Sequence, residues 1–282
     1  DQTIPVNIMS ISPFEGATAE IVGGVRTGVG CGGGSPFPSD WVYWDETDGF
    51  RSFFLTLAQT PSGILYSMDC TAHTLGLFDP ATGETSVYEQ RISRVVPSPD
   101  GRLAAGIEVG EVDATERAIL VIDLETGEVT SYVTSDEPDQ LAWSIDGTTL
   151  YYSTRTIIGN VLEGLDEAQR QMLNTAFGFE MENLPSYAVT IYSLDLATEQ
   201  DSEITRWNGY AVARMVEVDG SLFYSVVPNM DGWIEAVVAG ETTAEAPDLN
   251  HYFVPIVLEL NLEGDEAMEL GLASQFTPFV QR

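Results

Sequence analysis

Clustered acidic side chains are the groups in this sequence best suited to chemistry. Glu108, Glu111 and Asp113 lie together in one short segment, residues 108–117. Carboxylate oxygens are the ligands that Ca²⁺ prefers in proteins, so this segment is a candidate calcium site. Its spacing is not that of an EF-hand, and a solvated acidic loop is the alternative. We expect no other cofactor.

Other catalytic chemistry has few side chains to draw on. The chain has two histidines, His73 and His251, too few for a metal site built from several histidines. It has no GxSxG motif, and the segment "CGGGSP" lacks both the spacing and the lysine of a phosphate-binding loop. Glycoside hydrolysis needs only two carboxylates. With 44 acidic residues in the chain, a glycosidase therefore stays open as an alternative function.

The charge of the chain restricts its partners. The formal net charge is −33, and all 11 basic residues are arginines. Such a surface repels nucleic acids and anionic membranes, so we expect neither as a partner. It attracts cations and basic proteins. The alternative is that the acidic residues only keep the protein soluble, as in high-salt or acidic habitats.

Two cysteines, Cys31 and Cys70, bear on the compartment in which the protein works. We predict that they form a disulfide, which requires an oxidising compartment; free buried thiols are the alternative. The sequence begins at Asp1, as a processed chain or a fragment would. It contains no run of about 18 apolar residues that could span a membrane. We therefore expect an extracytoplasmic protein that is secreted, periplasmic or at the cell surface.

A four-residue turn recurs between short apolar runs. Asp-Gly in this position is typical of a tight hairpin, because glycine adopts the positive φ that the turn needs. Each turn is followed by a short strand such as "ILYSM" or "TLYYST". The four copies lie at 60–63, 98–101, 144–147 and 217–220.

A second polar turn alternates with the first. In it an apolar strand runs into Asp or Asn, as in "LFDPATGE" and "VIDLETGE". Each repeat therefore holds four strands. The distance from an Asp-Gly turn to the next such Asp or Asn ranges from 16 to 48 residues, whereas the return distance is only 18 to 22. All large insertions thus fall between the second and third strands, which lie on one face of a radial repeat.

Four-stranded units that recur about every 40 residues are typical of β-propeller blades. The segment "VVPSPDGRLAAGI", followed by "ILVIDLETGEVTSYV", resembles the SPDG-type, WD40-like repeat of TolB-like propellers. The resemblance extends over residues 51–282 and is clearest in 91–154. It implies an all-β propeller but no particular function, because such blades occur in scaffolds, in receptors and in the propeller domains of peptidases.

We expect a single propeller domain over residues 1–282. Four repeat blades would span 51–272. Strand-like runs in residues 1–50 would join a C-terminal inner strand, 273–282, in a shared fifth blade that closes the ring, and six blades are the alternative. A disulfide between the two cysteines would fasten this closing blade to its neighbour.

The two largest insertions, 155–187 and 228–252, are the candidate partner-binding region. The spacing of apolar residues in "LEGLDEAQRQMLNTAFGF" predicts a helix of about three turns, with Asp166 near its start and Gly178 after its end. Its apolar stripe either packs on the blades or meets a partner. Met and Trp are typical interface anchors, although a Trp in a loop also serves as a local plug. The candidate contacts are Met172, Phe177, Phe179, Met230, Trp233 and His251.

One-sided insertions and the lack of a catalytic motif together favour a protein-interaction scaffold. We expect it to bind a protein partner, which a basic surface would suit, through the insertion-bearing face. A structural subunit of a cell-surface assembly or filament, formed by self-association, is one alternative. A hydrolase such as a glycosidase, acting in the central channel, is another.

Overall fold

The structure is a computed structural model in which the chain divides into two compact units, Asp1–Thr134 and Ser135–Arg282. We call them unit 1 and unit 2. The described residues are 3–10, 20–28, 44–45, 49–50, 54–68, 74–109, 118–178, 180, 182–241, 255–262 and 267–272.

The N-terminal part of unit 1 forms two small antiparallel sheets. Strand β1 (Thr3–Ser10) pairs with β2 (Glu20–Gly28), and β3 (Trp44–Asp45) pairs with β4 (Gly49–Phe50). These segments are extended, as expected, but among the described residues they pair in twos and do not share one four-stranded sheet. Residues 273–282, the expected C-terminal partner, lie outside the described residues, so closure of the ring stays a prediction.

The rest of the described chain is dominated by four four-stranded antiparallel sheets, in which strands that follow one another in sequence are neighbours. We call these sheets blades 1 to 4. Unit 1 holds blade 1, with β5 (Phe54–Thr60), β6 (Gly63–Met68), β7 (Thr74–Phe78) and β8 (Thr85–Tyr88), and blade 2, with β9 (Ile92–Pro97), β10 (Leu103–Glu108), β11 (Ala118–Asp123) and β12 (Val129–Val133). Unit 2 holds blade 3, with β13 (Pro138–Trp143), β14 (Thr149–Asn160), β15 (Pro185–Asp195) and β16 (Gln200–Asn208), and blade 4, with β17 (Ala211–Val218), β18 (Ser221–Val227), β19 (Ile256–Asn261) and β20 (Ala267–Leu272).

The number of blades corrects the sequence-based expectation. The described residues hold four blades, not five or six. The predicted fifth blade combined N-terminal strands with residues 273–282, and in the described part of the chain the N-terminal strands form two separate pairs. All-β architecture with four-stranded antiparallel blades is as predicted.

Recurring turns explain why the blades form where they do. In blade 2 the Ser98 hydroxyl donates to the Asp100 carboxylate at 2.7 Å and accepts from the backbone N–H of Leu103 at 3.0 Å. Gly101 closes this turn with a φ of 68°. Blade 3 repeats the arrangement with Ser144, and its glycine has a φ of 72°. The Asp-Gly signal in the sequence therefore corresponds to a hydrogen-bonded hairpin turn.

The start of blade 3 is held by two tyrosine–aspartate pairs. The Asp201 carboxylate accepts hydrogen bonds from the hydroxyl of Tyr152 and from both the backbone N–H and the hydroxyl of Ser135, the latter two at 2.9 and 2.7 Å. Tyr192 stacks on Tyr152 with 5.0 Å between ring centroids and donates to Asp136 at 2.9 Å. Burial, and then its bond to Asp136, raises the pKa of Tyr192 to about 12.

Each unit has its own apolar core. In unit 1 the core lies between blades 1 and 2 and includes Leu65, Leu75 and Ile92. In unit 2 it lies between blades 3 and 4 and includes Ile191, Tyr224 and Leu258. This is sheet-on-sheet packing, in which the apolar faces of neighbouring blades cover each other.

Helices occur in two connections of unit 2. A 3-10 helix (Val161–Gly164) and α1 (Glu167–Phe177) lie between β14 and β15, and α2 (Asp231–Val238) lies between β18 and β19. Both connections join a second strand to a third strand, which is where the sequence spacing predicts the large insertions. Among the described residues no helix is long and apolar enough to cross a membrane.

Candidate functional site

Asn160 lies at the base of the first insertion, where β14 ends. The side-chain oxygen of Asn160 accepts from the backbone N–H of Leu162 at 3.0 Å and from that of Leu184 at 3.1 Å. Val161 N–H donates to the Leu184 carbonyl at 2.9 Å. One amide side chain therefore joins the two ends of the insertion on top of the β14–β15 ladder.

Helix α1 has well-defined ends, and both were predicted from the sequence. The Asp166 carboxylate accepts from the backbone N–H of Gln169, and the Gln169 side chain accepts from the backbone N–H of Asp166, each at 2.9 Å. This is a capping box, which satisfies two donors of the first turn. Gly178 ends the helix with a φ of 74°, a conformation that costs glycine little.

The two insertions pack together through one apolar cluster. Leu162, Leu173, Trp233, Ile234 and Val237 are its buried members, so the 3-10 helix and both α-helices contribute. Leu173 and Ile234 are completely buried. We call residues 160–178 and 230–241 the two-helix lobe. It is a small folded body with a core of its own.

An arginine and an asparagine hold the two-helix lobe in place. Arg170 of α1 donates to the carbonyl of Leu162 at 2.7 Å and to that of Leu165 at 3.2 Å. At the start of the second insertion, the Asn229 side chain accepts from the backbone N–H of Tyr187 at 3.0 Å and donates to its carbonyl at 2.7 Å. These two Asn229–Tyr187 hydrogen bonds link the β18–α2 connection of blade 4 to β15 of blade 3.

A cation and two aromatic rings meet beside this connection. The guanidinium carbon of Arg155 on β14 lies 4.9 Å from the ring centroid of Tyr187 and 4.9 Å from that of Tyr210. The two rings are 5.4 Å apart and nearly perpendicular, at 88°. Such contacts are attractive because the face of an aromatic ring carries partial negative charge. Arg155 itself is exposed.

Several large apolar side chains around the two insertions face solvent. Ile157 is 62% exposed, Ile158 44%, Met172 49% and Tyr210 45%. We call these four, with Arg155 and Tyr187, the insertion-bearing surface. The neighbouring charge is acidic, since residues 155–187 and 228–241 contain eight Asp or Glu and two Arg. Exposed apolar side chains that form a contiguous patch are typical of contact surfaces, and these side chains are the candidates for such a patch in unit 2.

The predicted partner-binding residues differ in how exposed they are in the structure. Met172 is exposed, whereas Met230 is partly buried against the cluster. Trp233 is only 5% exposed and packs in the lobe, which is the local role that the sequence left as the alternative. Phe177 ends α1, but its side chain, Phe179 and His251 lie outside what the structure describes. Arg155, Tyr187 and Tyr210 were not predicted, because no local motif connects residues so far apart in sequence.

The other sequence-predicted sites are described only in part. Glu108 is exposed at the end of β10, but Glu111 and Asp113 lie outside the described residues, as do Cys31 and Cys70. Within the described ranges no group of three or more His, Cys, Asp or Glu side chains is arranged to hold a metal ion. The calcium site and the disulfide therefore stay predictions.

Two surface grooves, one in each unit, have equivalent walls. The groove in unit 2 has a volume of about 430 Å³ and that in unit 1 about 670 Å³. Ser193, Ser202 and Leu262 line the first at the same positions of the strand ladders as Leu77, Ser86 and Leu124 in the second. Because equivalent positions line both, these grooves follow from how successive blades pack, and they do not mark a specialised site.

Sequence comparison identifies no relatives: no protein-family model matches the chain, and no curated protein matches it. Solved structures are similar in fold. The tricorn protease has a TM-score of 0.50 and 12% identity over 78% of this chain and 22% of its own. The β-propeller domain of the Trilobed protease from Pyrococcus furiosus has a TM-score of 0.45 and 12% identity over 77% of this chain and 57% of its own.

The fold is that of a β-propeller. TolB from Acinetobacter baumannii, at a TM-score of 0.42, is 14% identical over 70% of this chain and 37% of its own. Identities this low are informative about fold alone, since one fold hosts many functions. The propeller chain spans between 22% and 57% of the length of these three structures.

Proposed function

We propose that this propeller is a protein-binding module whose partner contacts the insertion-bearing surface of unit 2. The observation that carries the proposal is the packing of both insertions into one two-helix lobe. A loop that only connects strands needs no core, whereas this lobe buries Leu173 and Trp233 and caps its main helix at both ends. The propeller fold is compatible with this proposal but does not favour it over other functions.

The exposed side chains suggest what the partner looks like. Ile157, Met172 and Tyr210 offer apolar area at the surface, and acidic side chains surround them in the sequence. A complementary partner has an apolar centre and a basic rim, because opposite charges steer association and exclude wrong partners. We therefore propose a partner with basic groups around an apolar patch. We also propose that binding takes place outside the cytoplasm, because the predicted disulfide requires an oxidising compartment and the chain is strongly acidic.

Capture from native extract tests this proposal. Deleting residues 156–186 would uncover the apolar side of α2, so substitutions of exposed side chains make a cleaner test. The test variant carries Ile157→Asp and Met172→Asp. The matched control carries Val87→Asp and Val133→Asp on outer strands of unit 1, where the two valines are 60% and 71% exposed. Cross-linking should target carboxylates, since the chain has no lysine.

The proposal predicts a protein that wild type and control capture and that the test variant loses. Equal capture by all three chains would contradict it, and so would loss only in the Val87/Val133 variant. The second result would favour assembly through outer strands.

A further inference from the structure

Arg155 has a preorganised guanidinium that faces solvent. It lies against the rings of Tyr187 and Tyr210 at 4.9 Å from each centroid. Because the two rings are nearly perpendicular, at 88°, the flat guanidinium can stack on only one of them and turns an edge toward the other. The N–H groups on the edges that face away from both rings are the ones a ligand can use. The side chain is exposed, so a ligand can reach those edges.

No described carboxylate forms an ion pair with Arg155, although the chain has 44 acidic residues. Arg170, by contrast, uses its donors on two carbonyls of the lobe. The two rings hold the Arg155 side chain in place, and no acid among the described residues pairs with it. It is therefore well placed to bind an anion from another molecule. Its planar fork of donors matches the two oxygens of a carboxylate.

The surroundings of Arg155 are fixed and partly apolar. Both backbone groups of Tyr187 are bonded to Asn229, which fixes the backbone that carries this ring. Ile157 lies opposite Tyr187 in the β14–β15 ladder and is 62% exposed. A ligand at Arg155 would therefore meet apolar area next to the charge.

We propose that Arg155 is a carboxylate-binding site for the side chain of an Asp or Glu that apolar residues flank in a peptide segment. This deepens the proposed function, on which it rests for the idea that the segment belongs to a protein partner. Such an acid would be the anchor at the centre of an otherwise basic partner surface. The net charge of −33 opposes an anion at long range, but at 0.15 M salt charges more than about 8 Å apart are largely screened.

The test uses two capped peptides and arginine side-chain NMR. N-acetyl-Leu-Asp-Leu-amide is the probe, and N-acetyl-Leu-Asn-Leu-amide is the same peptide without the charge. The Nε–H signal of Arg155 is identified by its loss in Arg155→Lys. Arg91→Lys removes an exposed arginine of unit 1 and serves as the control. Unchanged backbone spectra verify that each variant is folded.

The proposal predicts that the Asp peptide shifts the Arg155 signal and binds about tenfold more tightly than the Asn peptide, because a charged, two-oxygen acceptor is lost. Arg155→Lys should weaken binding of the Asp peptide by about tenfold, and Arg91→Lys should not change it. Equal responses to the two peptides, or unchanged binding by Arg155→Lys, would overturn the proposal. A chain that captures its partner through the insertion-bearing surface but ignores the peptide refutes only the carboxylate site. A chain that binds the peptide but captures no protein refutes only the proposed function.

Discussion

The carboxylate of Glu217 accepts a hydrogen bond from the backbone N–H of Ile145 at 3.2 Å and so links the Asp-Gly turns of blades 4 and 3. Glu217 stands where blade 3 has Ser144, and Ile145 stands where blades 1 and 2 have Pro61 and Pro99. Proline has no N–H to satisfy. The two departures from the repeat therefore belong together, since the N–H that Ile145 introduces is the one that Glu217 accepts.

Replacing Glu217 should destabilise unit 2. Glu217 is 6% exposed and also bonds to Tyr151, whose pKa is raised by burial and by this carboxylate. Glu217→Ala leaves both donors without their acceptor and should lower the free energy of unfolding by about 1–3 kcal/mol. Glu217→Gln keeps one oxygen and should cost less. Urea denaturation measures both.

A double-mutant cycle with Ile145→Pro shows whether the two residues act as a pair. Ile145→Pro removes the donor, so it should cost less in the Glu217→Ala background than in wild type. Strictly additive effects would mean that the hydrogen bond contributes nothing.

Glu199 offers a stabilising substitution. It has a φ of 58°, whereas the equivalent turns of blades 1 and 2 have Gly83 and Gly127 with φ of 73° and 75°. The left-handed region costs a residue with a Cβ roughly 1–2 kcal/mol, and part of this is offset by the greater freedom of glycine in the unfolded chain. Glu199→Gly should therefore raise the free energy of unfolding by about 0.5–1 kcal/mol.

The reverse substitution is the matched control for that prediction. A Cβ at Gly127 would meet no atom within 4 Å, so Gly127→Glu introduces only the conformational cost and should destabilise by about 1 kcal/mol. Thermal unfolding of the two variants should shift in opposite directions. A shift in the same direction would refute the interpretation.

Asp201 should make stability depend on pH in acid. Burial alone would raise its pKa, but hydrogen bonds from Tyr152 and Ser135 outweigh this and hold the pKa below the usual 3.8. A carboxylate with a depressed pKa stabilises the folded state fully above its unfolded pKa, and this contribution is lost as the pH falls through the folded value. Asp201→Asn should therefore destabilise the protein at pH 7 more than at pH 3.

Glu203→Gln, an exposed change on the same strand, controls for the charge lost in the Asp201 variant. Its effect should be small at both pH values, as is usual for exposed charges. An Asp201→Asn deficit that is the same at pH 7 and pH 3 would show that the carboxylate contributes nothing as a charge.

Leu173 should be essential to the two-helix lobe, and its neighbour Met172 should not. Leu173 is completely buried against α2, whereas Met172 is 49% exposed. Leu173→Ala should cost about 2–5 kcal/mol of lobe stability, and Met172→Ala should change it by less than about 0.5 kcal/mol. Hydrogen exchange of residues 160–178 measures this. Equal exchange rates in the two variants would mean that the lobe has no cooperative core.

The predicted bond between Cys31 and Cys70 can be checked by mass spectrometry. If it is present, alkylation without reductant should leave the mass of the purified chain unchanged, and reduction should allow two alkyl groups to be added. Two additions before reduction would contradict the disulfide and remove one argument for an oxidising compartment.

Local signals in the sequence predicted the features that local physics decides. Asp166 and Gly178 mark the ends of α1 because caps act within one turn of the chain, and the Asp-Gly turns mark the hairpins for the same reason. Helix α2 has no side-chain cap at Met230, and "WIEAVV" suits a strand equally well. Packing of Trp233 against α1 is what favours the helix there, and a sequence pattern does not contain that contact.

The site and the blade count depend on long-range contacts, which explains why the sequence was less informative about them. Arg155 and Tyr187 lie close together because β14 and β15 pair, with Ile157 opposite Tyr187, and Tyr210 comes from the connection between β16 and β17. Similarly, “IPVNIMSI” and “TAEIVGGV” were recognisable as strands, but which strand each pairs with is not a local property. Pairing errors of this kind led to the prediction of a fifth blade.

Hydrogen–deuterium exchange with and without the captured partner tests the central claim most directly. If the insertion-bearing surface is the binding site, residues 155–187, 207–211 and 229–241 should exchange more slowly in the complex, while β8 and β12 should be unchanged. Slower exchange confined to the outer strands β8, β12, β16 and β20 would contradict this account and indicate that the protein works by edge-to-edge assembly.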